Sequence, residues 1–196
     1  RDSKKLKNKR ISIKKSHIEG ALQHKALLYD KSGEEHYNII SALHKSMRSS
    51  DENASLYWLA RMLEAGEDPI YVARRMLRFA AEDIGNADPM ATVLAEAAFS
   101  ACEKIGMPEC NVHLAQLALY LAKAPKDNSA YIGYARARKD AEKTLNLPVP
   151  MHLRNAVTDL MDKVGYGKGY VYDHDVEGKK SGQQCMPDKL RNRKYV

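Results

Sequence analysis

Apolar positions recur along most of this chain at three- and four-residue steps, the spacing of one face of an α-helix. Ile70, Ala73, Leu77, Ala80 and Ile84 form one stripe, and Leu94, Ala97, Ala98, Ala101 and Ile105 a second. Leu114, Leu117, Ala118 and Leu121 form a third. The same reading predicts earlier helices over 16–28, where Ser16 and Glu19 make a capping box, over 35–47 and over 51–65. A last helix is predicted over 151–164, after the stiff Leu147-Pro148-Val149-Pro150 joint. Alternating strand character surfaces only near Tyr170-Val171-Tyr172. The fold class is therefore all-α, a multi-helix antiparallel bundle or stack.

The stop and start signals are regular. Asp68-Pro69, Asp88-Pro89 and Met107-Pro108 each follow a glycine- or asparagine-containing turn, and the prolines are 20 and then 19 residues apart. Proline suits the first position of a helix because its missing N–H would be unbonded there anyway. Asp68 and Asp88 are predicted N-caps, and Gly66, Gly85 and Gly106 the preceding C-terminal stops. Asp127-Asn128 repeats the start signal without proline. Such a period leaves room for a helix of about 16 residues and a short turn, the pattern of stacked helical hairpins.

Charge changes this picture at the two ends. Residues 1–15 hold eight Lys or Arg against Asp2, residues 178–196 carry +5, and the whole chain of 196 residues carries +7, so the body between is mildly acidic. Basic tails suit phosphate backbones, and they also serve simply as solvated termini. The opening Arg1 and its basic run read as a linker entered from a longer protein. The hydrophobic fraction, 44%, is that of a globular domain, and no apolar run approaches the roughly 20 residues of a membrane span. Cys102, Cys110 and Cys185 form no C-x-x-C pair, so they read as packing thiols in a reducing compartment.

Candidate chemistry is sparse. Gly165-Tyr166-Gly167-Lys168-Gly169 lacks the spacing of a phosphate-binding loop and reads as a helix cap and turn. His17 with His24, and His36 with His44, share helix faces without the glutamate that a zinc-protease motif needs. His152, Arg154 and Asn155 form a polar cluster read first as a helix cap and second as a ligand contact. Arg61, Arg74, Arg75 and Arg78 form the densest internal basic group, suited to ion pairs with Glu64, Glu82 and Asp83 or to phosphate. Trp58, set among Leu56, Leu59, Met62 and Leu63, reads as core. No residues stand out as catalytic, metal-binding or cofactor-binding.

Longer blocks carry a family resemblance. They include Gly33-Glu34-Glu35-His36-Tyr37-Asn38, Ser41-Ala42-Leu43-His44-Lys45-Ser46 and Leu56-Tyr57-Trp58-Leu59-Ala60-Arg61-Met62-Leu63. Ala81-Glu82-Asp83-Ile84-Gly85-Asn86-Ala87-Asp88-Pro89, Pro150-Met151-His152-Leu153-Arg154-Asn155-Ala156 and Gly165-Tyr166-Gly167-Lys168-Gly169-Tyr170 continue them. Over roughly residues 16–175 the chain resembles the RarA/MgsA family of AAA+ ATPases, which includes the Werner helicase-interacting protein. The resemblance implies a basic linker (1–15), the end of the AAA+ lid (16–48), a helical C-terminal oligomerisation domain (49–175) and a basic tail (176–196). It implies action in replication-fork maintenance and recombination, homotetramers, DNA as a partner and replication and single-strand-binding proteins as further ones. It also implies location in the prokaryotic cytoplasm and nucleoid or the eukaryotic nucleus, away from membranes. ATP and magnesium would belong to a nucleotide-binding half whose Walker motifs are not in this chain, so the fragment itself is expected not to be an enzyme. Asp159 stands where relatives usually carry Lys or Arg, which weighs against phosphate contact by that helix.

On this reading the chain is an assembly and DNA-association module. Arg61, Arg74, Arg75, Arg78, His152, Arg154 and Lys168 are its candidate interface or DNA contacts. Its rivals are a free-standing nucleic-acid-binding helical module that uses the basic ends, and a helical enzyme with its own pocket.

Overall fold

The computed structural model describes Lys15 and residues 34–196, so the predicted helix over 16–28 and its capping box, His17 and His24 lie outside the described residues. Seven α-helices and several short 3-10 turns make up the described part, with no strand among those residues. They are α1 (Glu34–Arg48), α2 (Glu52–Glu64), α3 (Pro69–Phe79), α4 (Met90–Ile105), α5 (Asn111–Lys123), α6 (Ser129–Lys143) and α7 (Asp159–Val164). The chain divides into two compact units, one ending at Asn128 and the other Ser129–Val196.

In the first unit the local start signals act as their chemistry requires. Asp51 and Asp68 sit in extended conformation, and their carboxylates accept the Ala54 and Ile70 N–H groups. Pro69 occupies the first turn of α3. Asp88 likewise accepts from the Met90 N–H, one residue beyond Pro89. The third signal works differently. Pro108 lies in a turn of its own, closed by the Cys110 N–H on the Gly106 carbonyl, and α5 starts only at Asn111.

Helix α5 is the hub, packed against α1, α2, α3 and α4. Its stripe of Leu114, Leu117, Ala118 and Leu121 is buried as the spacing predicts. Two other stripes need correction. On α3 the buried face is Val72, Ala73, Met76 and Phe79, while Ile70 is exposed and Leu77 partly buried at the edge. On α4 the buried residues are Ala91, Ala95, Ala98 and Cys102; Ala97 and Ile105 face out. Small side chains line that face because it lies against α3 and α5, and close helix approach favours small contact residues over large ones.

After Phe79 the helix widens into a π-turn, Ala80–Ile84, and a 3-10 turn, Gly85–Ala87. Gly85 has φ +53°, and a Cβ placed there would lie 2.5 Å from the Asp127 carbonyl oxygen. The Asp127 N–H in turn donates to the Asp83 carbonyl at 2.9 Å. The segment after α5 is thus laced to the end of α3, and a glycine is what allows the approach.

The second unit is built otherwise. Gly133 on α6 is its one buried residue, held under the chain terminus: a Cβ there would meet the Tyr195 carbonyl oxygen at 3.1 Å. Arg193 bonds both carboxylate oxygens of Asp140, at 2.8 and 3.0 Å, and the Tyr195 hydroxyl donates to the same group. The single helix predicted over 151–164 is instead a 3-10 turn, Met151–Leu153, an extended link from Arg154 (φ −87°, ψ 141°), and α7, capped by the Thr158 hydroxyl. Asp159 and Asp162 in the first turn of α7 favour the helix dipole, which accounts physically for an acid at position 159.

Replacing Gly85 with Ala is expected to destabilise the protein by about 2 kcal/mol or more, because left-handed backbone strain adds to a clash with main chain. Gly106→Ala, with φ +72° but open space around it, should cost only about 1–2 kcal/mol. Urea unfolding of the two variants distinguishes them; equal midpoints would refute the clash.

Candidate functional site

Two polar constellations stand out, one in each unit. The first lies where α1 meets α3. Helix α1 turns His36, His44 and Arg48 towards residues that are 31 to 35 positions away in sequence. His36 Nδ1 donates to the Glu67 carboxylate at 2.6 Å, and the Tyr71 hydroxyl lies 3.0 Å from its Nε2. Both His36 and Glu67 are buried. At the other end of α1, Arg48 grips Asp83 with two bonds, 2.5 and 2.9 Å long, in the fork geometry suited to a carboxylate.

His44 sits between these pairs, edge-on to Phe79 with ring centroids 5.5 Å apart, and its buried Nε2 has no hydrogen-bond partner among the described residues. Burial is the largest reason that its pKa falls from 6.5 to about 4; the positive charges of Arg75 and Arg48 push the same way, against Asp83 and Glu82. It is therefore an uncharged imidazole at neutral pH. Lys126 completes this end of the unit. Its ammonium donates to the Ala122 and Ala124 carbonyls at 2.9 and 2.5 Å, capping the C-terminal end of α5, and burial lowers its pKa.

Of the four arginines singled out from sequence, two form ion pairs within the unit. Arg61 pairs with Glu35 at 2.6 Å and lies over the Trp58 ring, which is partly buried against the core. Arg78 pairs with Glu82 four residues on, at 2.6 Å, and Arg74 lies over Tyr71. Arg75 is half-buried with its Nε unpartnered among the described residues. Asp83, expected to serve this group, is taken by Arg48, which the local pattern did not mark.

The second constellation brings together His152, Arg154 and Lys168 around a cavity of about 750 Å³. His152 does not cap a helix: its Nε2 donates to the Gln184 carbonyl at 2.8 Å. Arg154 donates to the Val149 carbonyl at 2.7 Å and to the Tyr166 hydroxyl at 3.3 Å, with its guanidinium 5.1 Å from the centre of that ring. The Gly167 N–H donates to the Met151 carbonyl at 3.0 Å and ties the two walls together. This glycine-rich turn is a helix stop, with Gly165 left-handed at φ 97°, that also shapes a pocket. Among the described residues no three His, Cys, Asp or Glu side chains are grouped to hold a metal, and no helix is long and apolar enough to cross a membrane.

Comparison with known proteins agrees over the whole length. Residues 49–196 match a family model described as MgsA AAA+ ATPase C terminal, and residues 1–48 match one described as AAA C-terminal domain. The chain is 47% identical over 186 residues to ATPase WRNIP1 of Dictyostelium discoideum, covering 94% of this chain and 21% of that protein. It is 49% and 45% identical, each over 168 residues, to the replication-associated recombination protein A of Coxiella burnetii and of Escherichia coli K12. Each of those matches covers 85% of this chain and 38% of the relative, so the chain spans between a fifth and two-fifths of the length of these proteins.

An unfolded chain takes up a proton at His44 near pH 6.5, whereas the folded state resists it down to about 4. The His44 contribution to stability is thus complete above pH 6.5 and is lost as the pH falls from 6.5 towards 4, by up to about 3 kcal/mol. Denaturant midpoints across that window should fall more steeply in the unaltered protein than in His44→Leu; identical slopes would show that the buried imidazole does not control them.

Proposed function

The chain belongs to the MgsA family of AAA+ ATPases, of which it carries the C-terminal part, and from that premise we propose that it is the module that assembles the subunits and holds them to DNA. Its relatives are named for replication-associated recombination, and the Walker motifs of the family are not in this region. In this reading four copies associate, ATP and magnesium are handled by another part of the protein, and the chain alone turns over no ATP. The work is done beside DNA, in the nucleoid or the nucleus, and replication and single-strand-binding proteins are its further partners.

One observation carries the assembly reading. The unit Ser129–Val196 buries a single residue, while Leu145, Tyr134, Val157 and Leu160 are 82%, 72%, 78% and 71% exposed. A unit of that length leaves so much apolar surface wet only if another surface covers it, and homo-oligomers are the commonest way to cover it. Tyrosine and aliphatic residues are also well suited to interface cores. For DNA, the support is the exposed cations Arg74, Arg78 and Lys168 and the arginine at the second-unit cavity. Lys179, Lys180 and Lys189 are exposed too, and they favour the rival reading of a free-standing nucleic-acid-binding module.

Light scattering over a range of concentration should give about four times the chain mass of 22.1 kDa, and Leu160→Asp should lower it. A monomer at every concentration would refute assembly by this chain. Affinity for DNA, read by fluorescence anisotropy, should fall linearly with salt on logarithmic axes, because phosphate contacts release counterions. A monomer that nonetheless binds DNA in this way would establish the rival.

A further inference from the structure

The cavity in the second unit has features that a helix stop does not require. Its volume, about 750 Å³, lies in the range of small-ligand pockets. Arg154 is fixed on one wall by the Val149 carbonyl and the Tyr166 hydroxyl, and this leaves one terminal nitrogen of the guanidinium without a partner among the described residues. Lys168 also lines the cavity; it is exposed, and its ammonium pairs with no carboxylate among the described residues. Asp162 also lines the cavity. Two cations and one carboxylate leave a single positive charge to be balanced, which suits the one negative charge of a phosphodiester better than a polyphosphate. Tyr170, also in the lining, is 48% exposed and makes no ring contact among the described residues, so its face is open to stacking on a planar partner.

We propose that this cavity binds one nucleotide of single-stranded DNA, with its phosphodiester between Arg154 and Lys168 and its base against Tyr170. The assignment rests on the DNA-association reading above. Every base presents a π-face, so stacking on a tyrosine gives affinity without sequence preference. A base inside a duplex is already stacked on its neighbours, so the pocket selects unpaired strand. The walls are preorganised: Arg154 is held by protein carbonyl and ring, and the Gly167 N–H on the Met151 carbonyl fixes the turn that carries Lys168. The Asp162 carboxylate in the lining can only accept hydrogen bonds, so it suits an exocyclic amine and disfavours a second phosphate.

The test uses the full chain, fluorescein-labelled oligo-dT, a hairpin duplex of mixed sequence and free dTMP. Tyr170→Ala and Lys168→Ala alter exposed side chains without protein partners, and circular dichroism checks that both fold. Each should weaken oligo-dT binding by about tenfold while changing duplex binding less than twofold, and Lys168→Ala should reduce the salt slope by about one. Binding of oligo-dT that is unchanged in both variants would overturn the pocket and leave DNA association standing. Equal losses on the duplex would overturn the selection of unpaired strand. Displacement of oligo-dT by dTMP at equal nucleotide concentration would make the ligand a free mononucleotide and overturn the strand assignment. If the unaltered chain binds neither oligo-dT nor duplex, the DNA reading and the pocket fall together.

Discussion

The first unit depends on the fork between Arg48 and Asp83. Asp83 is buried, and a buried carboxylate without a partner is costly enough that the surrounding structure must supply one. The partner comes from the last turn of α1, so the pairing decides where α1 ends relative to α3. It also dictates the shape of the chain after Phe79: the π-turn over Ala80–Ile84 is the element that carries Asp83, and its main chain receives the Asp127 N–H. Gly85 next to it is the conformational condition for that approach. Lys126 then closes the end of α5 above the same joint. An ion pair, a widened helix turn, a glycine and a lysine cap therefore form one mechanical piece, and His44 is dry because it lies beside that piece against Phe79.

The two units are held together in different ways. The unit ending at Asn128 holds the core, which runs from Ile39 to Ala124 and centres on α5. The unit Ser129–Val196 is held by separate point contacts: the terminus over Gly133, the Asp140 clamp, the Thr158 cap and the Gln184 carbonyl on His152. Such devices give a defined surface without burying much of it. That is the property a docking module needs, since apolar residues used in an internal core are not available to a neighbour.

Much of this was legible from sequence, for reasons that differ by element. Asp68-Pro69 and Asp88-Pro89 act within two residues of their caps, so their chemistry is local and readable, whereas Asp51, placed inside a helix by its spacing, is the cap of that helix. The α5 stripe was readable because that face of α5 packs against four other helices. On α4, hydrophobicity pointed to Leu94 and Ile105, but the contact with α3 and α5 selected Ala91, Ala95 and Cys102 by size, which a count of apolar positions does not capture. The 151–164 helix failed because the fate of His152 is decided by Gln184, 32 residues away. His36 and His44 were visible as residues sharing a face, whereas Glu67, Tyr71 and Phe79, which give them their roles, lie outside any local window. Arg48 had no local mark at all. The glycine-rich turn after α7 was correctly read as a stop, and its second use, as a wall facing Arg154, required the backbone path from Met151 to Gly167.

The Arg48–Asp83 fork also has a consequence for how such a sequence can drift. Loss of Arg48 alone strands a buried carboxylate, whereas loss of Asp83 alone leaves a half-exposed guanidinium that water can reach. The two single steps are therefore penalised unequally, and losing the partner of the buried carboxylate is the heavier one. Replacement of Asp83 before Arg48 is therefore the easier order of change at this joint, and the reverse order is the one that the buried carboxylate obstructs.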